Sequence, residues 1–329
     1  FAVLRKNKMK FLVVFAALIL VISAASDRDQ WLQFKEKYGK DYRDLKEEQR
    51  RFSIFKDNLV TIQEHNEKYA KGETSYYMGV TPFADLTPSE FRSTLNYSRP
   101  TSNLKLKSLV DLDAVAAPSS IDWRDKGVVS EVKNQGSCGG CWAFSATGAM
   151  ESAYAIKTGK LLSLSEQNLL DCTTGYGNAG CNGGTVDYSF DYVIDNGIES
   201  ESDYPFQGVD GSCSYSQSRS ALQISSYVCL TYDSESELQS AVGTIGPISV
   251  SLDADGYQFY SGGVYDDSSC TWNVNHGVLV VGYGEESGSQ YWLVKNSWGA
   301  SWGENGYIKM ARNKSNQCGI ALWGVYPVI

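Results

Sequence analysis

The sequence predicts an α+β protein in which a helical segment precedes a domain of two lobes, the first mainly helical and the second mainly β-sheet. Apolar residues recur at helical spacing up to about residue 95, and strand-like runs dominate beyond about residue 228. A chain of 329 residues can bury one large core or two modest ones. A cleft between the two lobes is the expected location of an active site.

Residues 1–26 predict a signal peptide. Lys10 precedes an apolar run from Phe11 to Ile22, and small residues follow it, as is typical of exported chains. Because Phe1 is not an initiator residue, we place the natural start at Met9. The apolar run is much shorter than the roughly 20 residues that cross a bilayer, so we expect no membrane span.

Residues 27–116 predict helices followed by an extended linker. Trp31, Phe34 and Tyr38 share one helix face, and Asp44 with Glu47 resembles a capping box at the start of a longer helix. The apolar face of that longer helix comprises Phe52, Phe55, Leu59 and Ile62. No periodicity continues from Ser98 to Ala117, which predicts a domain boundary at residue 116.

The net negative charge and the cysteines lie in residues 117–329. This part carries 10 basic and 23 acidic residues, whereas residues 27–116 carry 15 of each. Nucleic acids and anionic membranes bind clustered Lys and Arg, so we expect neither as a partner. All eight cysteines also lie in this part, which predicts a domain stapled by disulfides behind the signal peptide.

Cys141 is the candidate nucleophile. It begins an apolar helix that extends to Lys157 before Gly159, and the N-terminus of a helix favours a thiolate. The motif Cys138-Gly-Gly-Cys141 leaves three other interpretations open, namely a redox pair, a zinc knuckle and two structural half-cystines.

The histidine count favours the nucleophile. Besides His65 in the N-terminal helices, His276 is the only histidine, and it lies at the start of a predicted strand. Asn296 ends another strand, and its amide oxygen can hold one imidazole nitrogen so that the other faces the thiol. Trp298 can shield that hydrogen bond from water. A zinc site with one histidine is disfavoured here, and we expect no metal or cofactor.

These motifs resemble the papain family of cysteine peptidases, cathepsin L-like members in particular, from about residue 27 to the C-terminus. The segments that carry the resemblance, in the order of the family, are Gln135–Trp142, Gly180–Gly184, Asn275–Gly277 and Asn296–Gly299. His276 and Asn296 lie 135 and 155 residues after Cys141, close to the family spacing. The resemblance implies the papain-like two-lobe fold.

The resemblance also implies a cysteine endopeptidase that cleaves peptide bonds through an acyl-enzyme. Cys141 would attack the carbonyl, and His276 would transfer protons. Asn296 would orient His276, while the Gln135 amide and the Cys141 N–H would hold the oxyanion. Two other functions stay open as alternatives: a catalytically silent papain-like binding module and a CxxC thiol–disulfide protein.

A substrate-binding set follows from the same resemblance. Gly183 and Gly184 would pair with the substrate backbone, and Asn275 and Trp298 flank the catalytic positions. The pocket for the side chain two residues before the cut would be formed by Thr185, Val186, Ser251, Val274 and, as its floor, Trp323. An indole at the floor predicts a preference for Val, Pro or other small side chains over Phe. Asn275 departs from the usual Asp of the family.

The N-terminal segment, residues 27–116, resembles the inhibitory prosegment of cathepsin L-like peptidases, which leaves residues 117–329 as the catalytic domain. The matching residues are Glu47, Arg51, Phe55, Asn58, Ile62 and Asn66, followed by Gly79, Phe83 and Asp85, with Thr81 replacing an Asn. Such a prosegment runs through the cleft opposite to a substrate, and the resemblance implies autoactivation at acidic pH.

The remaining expectations also rest on the resemblance. The implied disulfides are Cys138–Cys181, Cys172–Cys213 and Cys270–Cys318, which leave Cys229 as a free thiol. The implied partners are protein or peptide substrates and cystatin-like inhibitors, with the protease a monomer in a lysosome or a digestive secretion. Asn96 and Asn313 begin glycosylation sequons.

Overall fold

The computed structural model describes residues 26–97 and 116–329. The predicted signal peptide and most of the predicted linker lie outside the described residues. The chain divides into two compact units, one ending at Val60 and the other comprising Thr61–Ile329.

The first unit is held together by aromatic rings. It contains helix α1 (Asp27–Tyr38) and the first part of helix α2 (Leu45–Ala70). The Trp31 ring is fully buried and lies 5.3–5.5 Å from its aromatic neighbours, which are Phe34, Tyr42, Phe52 and Phe55. The Asp44 carboxylate accepts from the Glu47 N–H at 2.9 Å, so Asp44 caps α2 as its position predicts.

The second unit begins with the end of α2, strand β1 (Tyr76–Met78) and the short helix α3 (Pro88–Arg92). The Asn66 side chain donates to the Met78 carbonyl and accepts from the Met78 N–H, each at 2.8 Å, and so ties α2 to β1. Strand β1 pairs antiparallel with strand β7 (Tyr260–Tyr265), which belongs to the main sheet.

The helical lobe contains α4 (Cys141–Thr158), α5 (Glu166–Cys172) and α6 (Val186–Asn196). Helix α4 is mainly Ala and other small or apolar residues, so most of its surface is buried, and Gly159 ends it in the left-handed conformation. A small hairpin of β3 (Ile198–Glu199) and β4 (Ser220–Leu222) completes the lobe.

The β lobe is built on one sheet. Its further elements are β2 (Ile121–Asp122), β5 (Ser226–Cys229), helix α7 (Glu235–Thr244), β6 (Ile248–Leu252), β8 (His276–Glu286), β9 (Ser289–Lys295), β10 (Tyr307–Ala311) and β11 (Gly324–Val328). Among the described residues the strand order is β1-β7-β10-β9-β8-β6-β11-β5, with β2 paired to β8. The predicted α+β class with a helical lobe before a β lobe is therefore confirmed.

Strand β8 is the longest strand of the sheet and pairs on both sides. Its register with β6 places Ser251 opposite Gly277 and Leu252 opposite His276. A bulge between Val280 and Gly282 interrupts its pairing with β9. A Cβ atom at Gly282 would lie 2.2 Å from the Ile121 carbonyl oxygen, so only glycine allows β2 to approach at this bulge.

No helix within residues 26–97 and 116–329 has the length and apolar character that a membrane span requires.

We predict that Asn66→Ala weakens the docking of residues 61–97. The substitution removes both hydrogen bonds to Met78, so β1 should hold its place beside β7 less firmly. Two lost hydrogen bonds are worth about 1–3 kcal/mol, and activation of the precursor at a fixed acidic pH should accelerate about tenfold. Gln63→Ala, on the exposed side of the same helix, is the matched control. Equal activation rates for both variants would contradict the role of Asn66.

Candidate active site

Cys141 is the first residue of α4 and its thiol is buried. Burial raises the pKa of the Cys141 thiol to about 11, and hydrogen bonds from the backbone N–H groups of Gly277, Trp142 and Asn96 oppose the shift only in part. The sequence predicts a thiolate at this helix start. The structure differs because burial outweighs the helix dipole in this state, and the sulfur stays protonated.

His276 is held by Asn296. The His276 Nε2–H donates to Asn296 Oδ1 at 2.8 Å, and the Ser297 N–H donates to the same oxygen at 2.8 Å. The indole of Trp298 stacks on the imidazole with ring centroids 4.7 Å apart. Within the part of the chain that the structure describes, Nδ1 has no hydrogen-bond partner. This nitrogen is therefore available to the thiol.

The protonation of His276 is set by burial. Burial lowers the pKa of the imidazole to about 4, and the hydrogen bond to Asn296 opposes that shift. A neutral imidazole beside a neutral thiol is a resting pair, because thiol attack requires the proton to move to the imidazole.

Gln135 is held in a fixed orientation by two hydrogen bonds. Its Nε2 donates to the Cys138 carbonyl at 2.9 Å, and its Oε1 accepts from the Ser297 hydroxyl at 2.6 Å. One N–H of the amide remains for an oxyanion. Ser297 has no predicted role, although it lies inside the Asn-Ser-Trp-Gly motif; the structure shows that it bonds both Gln135 and Asn296.

Cys138 and Cys141 do not form a disulfide with each other. The structure joins the pairs Cys138–Cys181, Cys172–Cys213 and Cys270–Cys318, which are the pairs implied by the resemblance. Cys141 and Cys229 are unpaired and buried. A Cys138–Cys141 redox pair and a zinc knuckle at this motif both require Cys138 as a free thiol, so neither fits the structure.

Comparison with known proteins agrees with this geometry. Residues 117–328 match the profile of the papain family cysteine proteases, and residues 31–91 match that of the cathepsin propeptide inhibitor domain. The chain belongs to the papain family of cysteine proteases. It is built as a procathepsin-like zymogen of the cathepsin L type.

Three relatives illustrate the similarity. A cathepsin L-like proteinase of Phaedon cochleariae is 49% identical over 98% of this chain and 100% of its own length. Digestive cysteine proteinase 1 of Homarus americanus is 44% identical over 96% and 99%. The structure of digestive procathepsin L 3 from the larval midgut of Tenebrio molitor superimposes with a TM-score of 0.89 at 45% identity, covering 93% of this chain and all of that one.

The prosegment of this zymogen passes over Cys141. Asn96 contacts the Cys141 sulfur through its backbone N–H, and the Tyr97 N–H donates to the Asn275 carbonyl at 3.0 Å. Tyr97 forms a parallel β-bridge with Gly184. A Cβ atom at Gly184 would lie 2.5 Å from Asn178 Oδ1, so only glycine fits at this position, where the backbone pairs with the prosegment.

Two aromatic rings of the prosegment cover Trp298. Phe83 lies 5.0 Å and Phe91 5.5 Å from the indole, both edge to face. Thr81 replaces the Asn of the family pattern, and its hydroxyl donates to the Gln258 carbonyl at 2.6 Å. Asp85, which follows Thr81 in the same segment, is also buried.

The Asn275 side chain forms hydrogen bonds with the loop that follows β6. Its amide donates to Asp255 at 2.9 Å and accepts from the Ala254 N–H at 2.9 Å. Arg92 of the prosegment forms a salt bridge with the same Asp255 at 2.9 Å. Asn275, which stands where the family usually has Asp, therefore bonds the Asp255 carboxylate that also pairs with Arg92 of the prosegment.

Trp323 and Val186, both predicted for the substrate pocket, line one small cavity together with Tyr97. The Trp323 indole also packs against Tyr232, with ring centroids 5.1 Å apart. The preference for small side chains stays a prediction. Thr185 and Val274 are buried, and each is adjacent in sequence to a residue that pairs with Tyr97.

The two glycosylation sequons differ in their surroundings. Asn96 is half-buried, and its amide nitrogen donates to the Cys181 carbonyl at 3.4 Å, while glycosylation at this residue stays a prediction. Asn313 is exposed, and glycosylation there stays a prediction.

We predict that Cys141 of the zymogen reacts slowly with a neutral alkylating reagent at pH 7. Because its pKa is raised to about 11, the rate should climb about tenfold for each pH unit above 7. The measurement uses the Cys229→Ser variant, so that only one free thiol remains, and compares zymogen with processed enzyme. A fast rate that does not change between pH 7 and pH 10 in the zymogen would contradict the protonated thiol.

Proposed function

We propose that this protease is an endopeptidase in which Cys141 is the nucleophile and His276 its acid and base. The observation that carries the proposal is the free Nδ1 of His276: Asn296 engages the other ring nitrogen, and the N–H of the next residue, Gly277, contacts the Cys141 sulfur. Three segments that lie far apart in the sequence meet at this point.

Each step of the reaction has a residue in place. The thiol proton moves to His276 Nδ1 as the sulfur attacks the substrate carbonyl, and the imidazolium then protonates the leaving amine. The developing oxyanion accepts from the Cys141 N–H and the free N–H of the Gln135 amide. His276 next removes a proton from water, which hydrolyses the acyl-enzyme.

The prosegment acts as an intramolecular inhibitor in this proposal. The parallel bridge between Tyr97 and Gly184 supports it, because a chain of the opposite direction would meet Gly184 as an antiparallel partner. The reversed direction keeps the prosegment carbonyls out of the attack geometry, while Asn96 excludes water from the sulfur.

Acidic activation follows from the burial of His276. In the closed zymogen the pKa of the imidazole is about 4, and an imidazole that meets water has its ordinary value of 6.5. An opened state therefore binds more protons between these values. The closed state keeps its full advantage above pH 6.5 and loses it as the pH falls towards 4.

The expected surroundings of the protease are those of its relatives. Cathepsin L proteins and digestive cysteine proteinases among them support a lysosomal or digestive role for a secreted enzyme. We propose protein or peptide substrates, cystatin-like inhibitors, and a monomer that matures near residues 115–118.

We predict that Cys141→Ala abolishes peptide hydrolysis and leaves the zymogen folded. The change removes the nucleophile and one sulfur atom of packing, so kcat should fall by several decades. Hydrolysis of a peptide substrate after processing by a second protease measures the effect, and thermal unfolding of the zymogen checks the fold. Retention of a tenth of wild-type activity would overturn the role of Cys141, and a silent binding module would show no loss because wild type itself would be inactive.

We predict that the zymogen processes itself near residues 115–118 with a rate that rises between pH 6.5 and pH 4. Terminal sequencing locates the cut. The Glu47–Arg51 pair on α2, at 2.7 Å, supports the prosegment helix in this proposal, so Glu47→Gln should raise the rate of processing at a fixed pH. Glu36→Gln, an exposed carboxylate on α1, is the control. An unchanged rate for Glu47→Gln would remove that pair from the mechanism.

A further inference from the structure

Arg92, the last residue of helix α3, forms an ion pair with a carboxylate of the catalytic domain. Its Nε lies 2.9 Å from Oδ2 of Asp255, in the loop that follows β6. Among the described residues, Arg92 is the only cation that pairs with Asp255. The Asp255 side chain is 37% exposed even beside the prosegment. Once the prosegment leaves, this carboxylate therefore faces solvent without a cationic partner.

The Asp255 carboxylate is held by contacts within the catalytic domain. Its Oδ1 accepts from the Asn275 amide at 2.9 Å, and its backbone N–H donates to Asp253 Oδ1 at 3.1 Å. Asp253 itself is buried, and its Oδ2 accepts from the N–H and the hydroxyl of Thr271. An Asp at position 275, as is usual in the family, would repel the Asp255 carboxylate. The Asn275 amide instead fixes its orientation, and this bond does not depend on the prosegment.

The path of the prosegment indicates which part of a substrate meets Asp255. The Asn96 N–H contacts the Cys141 sulfur, and the next residue, Tyr97, pairs with Gly184. In the proposed function, Gly184 pairs with the part of the substrate before the cleaved bond. Helix α3 precedes Asn96 in the chain, so it lies on the other side of the sulfur. That side receives the residues after the cleaved bond.

Two further contacts bring α3 close to the acid of the proposed reaction. Phe91 of α3 lies 5.5 Å from the Trp298 indole, which stacks on the imidazole of His276. Asn275, whose amide binds Asp255, directly precedes His276. Because His276 protonates the leaving amine in the proposed reaction, Asp255 lies near the residues that carry this amine.

We infer that Asp255 is a specificity-determining residue, which binds a Lys or Arg side chain of the substrate at the first or second position after the cleaved bond. The inference rests on the proposed function, which assigns the leaving part of the substrate to this end of the cleft. In the zymogen, the Arg92 guanidinium takes the place of that side chain. After processing, a cation of the substrate replaces it and donates a charge-assisted hydrogen bond to the same oxygen.

The overall charge of the catalytic domain offers a competing explanation for a preference of this kind. Residues 117–329 carry 23 acidic and 10 basic residues, and such an excess attracts basic peptides in general. A general field does not depend on one carboxylate, whereas a subsite at Asp255 does. The test therefore compares the loss of this carboxylate with the loss of another one.

The test uses processed enzyme and two series of peptide substrates, which carry Arg, Gln or Glu at the first or at the second position after the cut. For wild type we expect kcat/KM of the Arg peptide to exceed that of the Gln peptide about threefold in at least one series, since an exposed ion pair contributes modestly. In Asp255→Asn, which keeps the shape of the side chain, this ratio should fall to about 1. Raising the ionic strength from about 0.05 M to about 0.5 M should also lower the wild-type ratio.

Glu285→Gln is the matched control. Glu285 is an exposed carboxylate near the opposite end of β8 from His276, and its substitution changes the net charge by the same amount as Asp255→Asn. This variant should keep the wild-type ratio. Because each readout is a ratio within one variant, a general loss of activity does not hide the result.

A second readout uses the zymogen, in which Arg92 is the bound cation. Arg92→Gln should speed activation at a fixed acidic pH about threefold, because it removes the ion pair with Asp255. The same substitution should have little further effect in an Asp255→Asn background, since the two residues act through one contact.

Three results would overturn the inference. They are equal kcat/KM for the Arg and Gln peptides in both series, an Arg preference that survives Asp255→Asn, and independent, additive effects of Arg92→Gln and Asp255→Asn on activation. Cleavage of none of the peptides by processed wild type would instead count against the proposed endopeptidase itself.

Discussion

The pairing of β8 with β9 is the constraint on which the site depends. Leu279 pairs with Lys295, and the same antiparallel register continued past the end of β9 brings Trp298 opposite His276. The indole does stack on the imidazole there, and Asn296 reaches Nε2 from the same turn. A slip of one residue would direct these side chains to the other face of the sheet and separate the pair.

The same register links catalysis to the protection of the thiol. His276 is the first residue of β8, so the next residue, Gly277, presents its N–H to Cys141 at the start of α4. Gly277 also admits the Tyr97 ring, since it has no side chain of its own. One strand end therefore carries His276, contacts the Cys141 thiol and receives the prosegment.

Burial of Cys141 and His276 favours a neutral, unreactive pair in the zymogen. It raises the pKa of Cys141 and lowers that of His276, so the neutral pair is favoured without any change in the residues themselves. Asp255 has one partner on each side: it binds Asn275, the residue before His276, and it also binds Arg92 of the prosegment.

The sequence alone determined the fold class, the order of the lobes and the family. Periodicity and caps act locally, which is why α4, the N-cap Asp44 and β6 were predicted close to their observed bounds. Protonation of Cys141, the role of Ser297 and the use of Tyr97 were decided only by tertiary structure, because each depends on contacts between segments far apart in the chain. The direction of the Trp323 indole is the clearest case. The sequence identifies the residue, but its packing against Tyr232 and its place in one cavity with Tyr97 depend on segments far apart in the chain.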